Sequence, residues 1–332
     1  MILRWASSIF LVIIFFCGLP SLAQNSTPKE CLQEARVYLA DWPQTDFSKC
    51  LIDLTDVISG GPGKDGIPAI DHPVFVPVSE ADLAPNAPVI ELVIRDRARA
   101  YPLEVLIWHE IVNDQFAGTP VAVTYCPLCN AALVFDSRIE GQVMDFGTTG
   151  NLRRSDLIMY DRQTESWWQQ YTGQAIIGEM AGAQLTLLAN ALVSWQEFAR
   201  AWPKGEVLVP ADPMFRPYGA NPYVGYDASK FPFLYQGSLP EVVPAMERVV
   251  VAGDKAWSFS FLKAKKKVRD EGLVITWVPG QASALAARTI DEGTDVGTVR
   301  VQTKDGDPVI YKITFAFVVH AFEPDRPIVH ED

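Results

Sequence analysis

Two cysteines separated by two residues, Cys126-Pro-Leu-Cys129, are the side chains in this sequence best suited to chemistry. Two thiolates at that spacing can hold one metal ion from a tight turn. The same spacing also allows a reversible disulfide, in which Cys126 would attack and Cys129 would resolve. The redox reading wants Cys126 at a helix N-terminus, where the dipole stabilises a thiolate. The residues that follow, Ala131 to Phe135, end in Leu-Val-Phe and suit a strand, so strand, knuckle, strand is expected and metal binding leads. His109, one of four histidines, is the expected third ligand. Soft sulfur with an imidazole suits copper or zinc. The zinc-protease pattern H-E-x-x-H is absent, because Asn113 stands where its second histidine would be.

Further polar and aromatic residues fall near these in the chain. Glu110, Asn113, Asp114 and Tyr125 flank the histidine and the first cysteine. A dense cluster follows at Asp156, Met159, Tyr160, Asp161 and Arg162, where a carboxylate or a cation could bind. Met159 is a soft donor if copper is the metal. Trp167 and Trp168 could line a pocket for a peptide or small molecule, which is a third reading in which the cysteines form a structural bridge. The bland alternatives are a turn held by Asp and Arg, and aromatic rings that simply pack. No nucleotide, flavin or heme motif and no nucleophile elbow is present.

Positioning these groups needs regular structure around them. Apolar runs at Val89–Ile94 and Pro120–Tyr125 predict strands. Pro102 opens a segment, Leu103–Val112, whose apolar spacing predicts a buried helix carrying His109. Ala131–Phe135 and Gln142–Phe146 predict a hairpin around Gly141. Ser194–Ala201 predicts a short helix that stops at Pro203, and Lys29–Leu39 predicts another. Gly60 to Pro68 is too rich in Gly and Pro for regular structure.

The sequence also resembles itself. Thr124–Leu133 matches Thr276–Leu285, and Val93–Leu106 matches Val249–Leu262. Asp145–Thr148 matches Asp295–Thr298, and Ala201-Trp202 matches Ala321-Phe322. Four matches in one order imply an internal duplication. In the second copy Val278 and Gln281 replace the cysteines, and the stretches around His109 and Asp156–Gln169 have no counterpart. The expected fold is therefore α+β and β-rich, with two related units, 67–210 and a degenerate 246–332. A Pro/Gly/Tyr-rich connector, 211–245, joins them, and an N-terminal extension, 24–66, precedes them.

Composition narrows the function further. The chain has 332 residues, 48% of them apolar, and a net charge of −12. Such an excess of acid repels phosphate backbones, so no nucleic acid partner is expected. Arg4, an apolar run to Cys17 and Ser21-Leu-Ala23 read as a signal peptide over residues 1–23, cleaved on export. The mature chain would then be periplasmic or extracellular, with no transmembrane span. In that oxidising compartment Cys31 and Cys50 are expected to form a structural disulfide. The sequence names no substrate, partner or oligomeric state.

Several motifs in one order resemble the bacterial and archaeal family called domain of unknown function 3179. They are Gly60-Gly-Pro-Gly-Lys-Asp-Gly-Ile-Pro68, Ala100-Tyr-Pro-Leu103, His109-Glu-Ile-Val-Asn-Asp114, Thr124-Tyr-Cys-Pro-Leu-Cys129 and Ser155-Asp-Leu-Ile-Met-Tyr-Asp-Arg162. The resemblance covers about residues 55–210 and is expected to continue to the C-terminus. It implies relatives and no particular reaction.

Overall fold

Alternating and β-branched apolar residues form strands through most of the chain. The computed structural model describes residues 28–331, with the backbone alone for 28–30. The leader and Cys17 lie outside those residues. Among the described residues no helix is long and apolar enough to cross a membrane. The molecule is β-rich, with five sheets of three or more strands in a propeller-like arrangement.

Two of these sheets share one topology. In the first, Asn190–Ser194 pairs antiparallel with Pro88–Ile94 and Pro88–Ile94 with Arg97–Pro102, while Arg97–Pro102 pairs parallel with Glu206–Val209. In the second, Lys312–Phe315, Arg248–Ala252, Lys255–Ser258 and Ile328–Val329 repeat that order and those senses. Each is followed in sequence by an antiparallel meander. The first meander is Ile111–Phe116, Thr119–Cys126 and Ala131–Asp136. The second is Lys267–Asp270, Leu273–Val278 and Thr298–Thr303. Two of the four sequence matches, Val93–Leu106 with Val249–Leu262 and Ala201-Trp202 with Ala321-Phe322, therefore fall on equivalent elements, and a third, Thr124–Leu133 with Thr276–Leu285, does so only over its first strand, since Ala131–Leu133 is strand and Ser283–Leu285 is not. The fourth does not. Asp145–Thr148 leads into Phe146–Arg153, which joins a separate sheet with Val57–Ser59 and Asp156–Asp161. Its sequence counterpart leads into the last meander strand. One large cluster of buried apolar side chains runs from Ala87 to Val318, so the two units share a core.

Two local expectations need correction. The helix expected over Leu103–Val112 is one turn, Leu103–Leu106. Glu110 takes a left-handed φ of 59° and reverses the chain, and Ile111 begins a strand that pairs with Thr124. Cross-strand pairing of Ile111 and Val112 outweighs a helical spacing that apolar residues on both faces leave ambiguous. The hairpin around Gly141 is smaller than expected, Arg138–Ile139 against Gln142–Val143. Ala131–Asp136 pairs instead with Thr119–Cys126 and Thr186–Leu187. Other elements match the sequence reading. Trp195–Ala201 is a helix whose Ser194 side chain accepts from the Glu197 N–H. The connector has one short 3-10 turn, Tyr226–Ala228.

Cys31 and Cys50 form the disulfide, with Cα atoms 6.4 Å apart. It ties down an extension whose Trp42 and Phe47 pack on Tyr160 and Trp167 in a satellite core. Replacing both cysteines with serine is expected to cost about 3 kcal/mol by freeing the unfolded chain. A urea titration checks this, and an unchanged midpoint would mean that the extension holds without its bridge.

Candidate functional site

The Cys-Pro-Leu-Cys segment joins two strands. Cys126 ends one strand and pairs with Ala131, which begins the next. Pro127 suits the second position of such a turn because its φ is already fixed. Asn130 closes it at a left-handed φ of 50°, a conformation asparagine tolerates better than most residues. The N–H of Asn130 donates to the Pro127 carbonyl at 3.2 Å. No helix begins at Cys126, so no helix dipole acts on its thiol.

Both sulfurs face a second turn from another sheet. Arg154 and Ser155, at φ 53° and 65°, make the tight turn between Phe146–Arg153 and Asp156–Asp161. The Ser155 carbonyl oxygen lies 3.4 Å from Cys129 Sγ and 3.9 Å from Cys126 Sγ. Asp156, fully buried, brings its carboxylate to the same place. The two sulfurs and an Asp156 oxygen all lie within 4.8 Å of one another. Asp156 Oδ2 accepts from Gln169 Nε2 at 2.7 Å and from the Tyr171 N–H at 2.8 Å. Its Oδ1 is buried with no hydrogen-bond partner.

Glu110 is buried outside this three-donor cluster, close enough for its charge to act on Cys126 and for that of Asp156 to act on it. Its carbonyl accepts from the Tyr125 N–H at 2.8 Å, which fixes the turn beside Cys126. Burial pushes the Glu110 carboxyl up to about 8, and the charge of Asp156 adds to that. Burial also raises Asp156 to about 6, against the opposing hydrogen bonds from Tyr171 and Gln169. Both thiols are pushed up, first by burial and further by the charge of Asp156. Among the described residues neither Asp156 nor Glu110 has a salt-bridge partner. Three clustered buried acids, with Glu110 acting on them through its charge, disfavour one another's ionised forms, and a cation among them would reverse that.

The rest of the molecule closes over this centre. The Cys129 carbonyl accepts from the Phe315 N–H and from Thr314 Oγ1 in the second unit. Tyr226 of the connector donates to the Leu128 carbonyl at 3.0 Å, and Ser155 Oγ donates to the Phe233 carbonyl at 2.6 Å. Cys126 and Cys129 are 2% and 0% exposed.

His109 is not among the clustered donors. Its Nδ1 is 2.8 Å from the Pro68 carbonyl, so it carries the proton, and its Nε2 accepts from the Tyr218 hydroxyl at 2.8 Å. Both ring nitrogens are used, and the ring stacks on Phe215 and Tyr218. Burial lowers its pKa, which keeps it neutral. It joins the Gly/Pro loop to the connector.

Most of the other candidates hold the fold. Asn113 exchanges hydrogen bonds with the Phe146 backbone and donates to Asp71. Asp114 pairs with Arg99 and accepts from Tyr101. Tyr160 donates to Asp65, and Arg162 pairs with Asp71. Asp161 caps the Thr164 N–H and accepts from Trp168 Nε1. Met159 is wholly buried in the main core. Trp167 and Trp168 point to opposite faces of their strand, one into each core cluster, and both are fully buried. They therefore line no open pocket among the described residues. Tyr125 is buried beside Cys126, with a hydroxyl that lacks a partner.

The donor that the sequence reading places only in a general polar cluster is Asp156. The available signal is its position at the start of a segment, residues 156–169, that has no counterpart in the self-similar stretches of the sequence.

The model of a family described as protein of unknown function (DUF3179) matches residues 64–326. No curated protein matches the chain, and no solved structure matches it.

Proposed function

The chain belongs to the DUF3179 family, and since that membership names no reaction, we propose from the site itself that the protein binds one zinc ion through Cys126, Cys129 and Asp156. The observation that carries this reading is the convergence of three donor atoms within 4.8 Å, one of them an oxygen of the buried Asp156 carboxylate, whose Oδ1 has no hydrogen-bond partner. Glu110 lies outside that cluster and is proposed as the fourth donor from its electrostatic coupling to Asp156 and Cys126. Two thiolates with carboxylate oxygens suit zinc, which accepts both, better than copper, which would want imidazole or thioether instead. A closed, buried set of protein donors is the pattern of a structural centre, and this one fastens the cysteine turn to the Arg154–Ser155 turn of another sheet.

Burial weighs against the oxidoreductase reading. Thiol exchange needs an accessible thiolate, and these thiols are covered and held protonated by their surroundings. The Cys31–Cys50 bond supports export to an oxidising compartment. There, a bound ion would keep the second cysteine pair from oxidation.

The two units are read as copies of one ancestral unit. Their matching sheet order and senses support this. In the second unit, Gln281 accepts a hydrogen bond from Thr298 and needs no ion.

Elemental analysis of protein purified from the exported compartment is expected to give about one zinc per chain. Cys126→Ser/Cys129→Ser should lose that ion, and His109→Ala should keep it. Retention by the double variant, or copper in place of zinc, would end this reading.

A further inference from the structure

A cavity of about 630 Å³ opens between the two units, and neither cysteine of the Cys126–Cys129 turn nor Asp156 lines it. Its walls are edge strands, Asn190–Ser194 of one sheet and Thr298–Thr303 of another. Val93, Val309 and Trp202 give it an apolar lining. This volume is in the usual range for small-molecule sites, and clefts between units are a common place for them.

Its charges set it apart from the rest of the molecule. The chain carries −12 overall, yet this lining holds Arg95, Arg200 and Arg300 against Glu91 and Glu197. Arg300 is committed. It donates to both oxygens of Glu91 and to Glu197, with distances from 2.5 to 3.1 Å. Arg95 and Arg200 have no hydrogen bond or salt bridge among the described residues, and both are exposed at the rim. The pattern is an apolar cleft with a committed ion network in its wall and two unspent guanidinium groups at its mouth.

We propose that this cleft binds a small amphipathic anion, with its apolar chain along Trp202, Val93 and Val309 and its carboxylate between Arg95 and Arg200. Guanidinium favours carboxylate because its donors form a planar fork that matches two oxygens. The site does not depend on the metal centre, and its test stands apart from that reading.

The test uses the full chain, with decanoate and decanol as probes in titration calorimetry. Decanoate is expected to bind at one saturable site. Decanol, the same chain without charge, should bind about tenfold or more weakly. Arg95→Ala/Arg200→Ala removes two exposed side chains that hold no part of the fold, and should abolish the preference for decanoate. Trp202→Ala should weaken both probes. The proposal is overturned if decanoate shows no saturable binding or if wild type binds the two probes equally. It is also overturned if the preference survives in the double arginine variant. Competition by inorganic phosphate at equal concentration would make the rim a plain anion site and would likewise overturn it.

Discussion

Chelator-treated protein is expected to lose stability as pH rises from about 4 to about 8, and added zinc is expected to restore the most at the alkaline end. The sign follows from the two buried carboxyls. Glu110 is raised from 4.5 to about 8 and Asp156 from 3.8 to about 6 in the folded protein. Between the unfolded and folded values, the folded state holds protons that the unfolded chain has already released. Stability therefore falls with rising pH across that window. The loss is several kcal/mol in all, because each group costs about 1.4 kcal/mol for every pH unit between its two values. Zinc reverses the slope because it competes with those protons for the same oxygens and sulfurs. At about pH 7, binding should release about three protons, two from the thiols and most of one from Glu110. Glu110→Gln should reduce that count to about two while the ion still binds. Thermal melts across the pH range, with chelator and with zinc, check the slopes, and calorimetry in two buffers counts the protons. Parallel melting curves with and without zinc would mean that no ion takes those groups.

Gly150→Ala is expected to destabilise the protein by about 3 kcal/mol or more. Gly150 sits at φ +75° where the strand Phe146–Arg153 changes register against its neighbour. A Cβ there would lie 1.9 Å from the Pro62 carbonyl oxygen. The Gly/Pro loop docks at this point, with Gly60 N–H donating to the Gly150 carbonyl and Asp65 N–H to the Thr148 carbonyl. Both the backbone conformation and the contact would have to yield, and the contact is with backbone, which cannot rotate away. Gly141→Ala is the control. Its φ is +85° with nothing within 4 Å of the added carbon, so only the backbone strain remains, about 1 kcal/mol. Denaturant midpoints of the two variants separate strain from contact. Equal losses would show that the loop moves aside at little cost.

Local pattern is ambiguous at two places, and there the elements differ from expectation. Leu103–Val112 is apolar on every face, so its spacing does not separate a buried helix from one turn followed by a buried strand. The left-handed turn at Glu110 decides it, and glutamate gives no sequence signal for that conformation. Gln142–Phe146 carries a hairpin turn at Gly141, yet Phe146 passes on to a different sheet, a choice made by pairing with Asp161. The self-similarity coincides with matching elements where strand runs into helix at Val93–Leu106 and Val249–Leu262, and fails at Asp145–Thr148, where a similar tetrapeptide enters strands of different sheets.

The cysteine turn, its flanking strands, the Cys31–Cys50 bridge and the β-rich character follow from residue type and near-neighbour spacing. These are properties of a few adjacent residues, where φ preference and side-chain alternation act directly. Which groups meet the two sulfurs is set elsewhere. His109 is the nearer in sequence to Cys126 and faces away, while Asp156 comes from a hairpin in another sheet and arrives at the thiols. Contacts of that kind depend on how sheets pack and how far each strand runs, and neither is written in the spacing of one segment. Tertiary packing therefore placed a carboxylate, and not an imidazole, beside the two sulfurs.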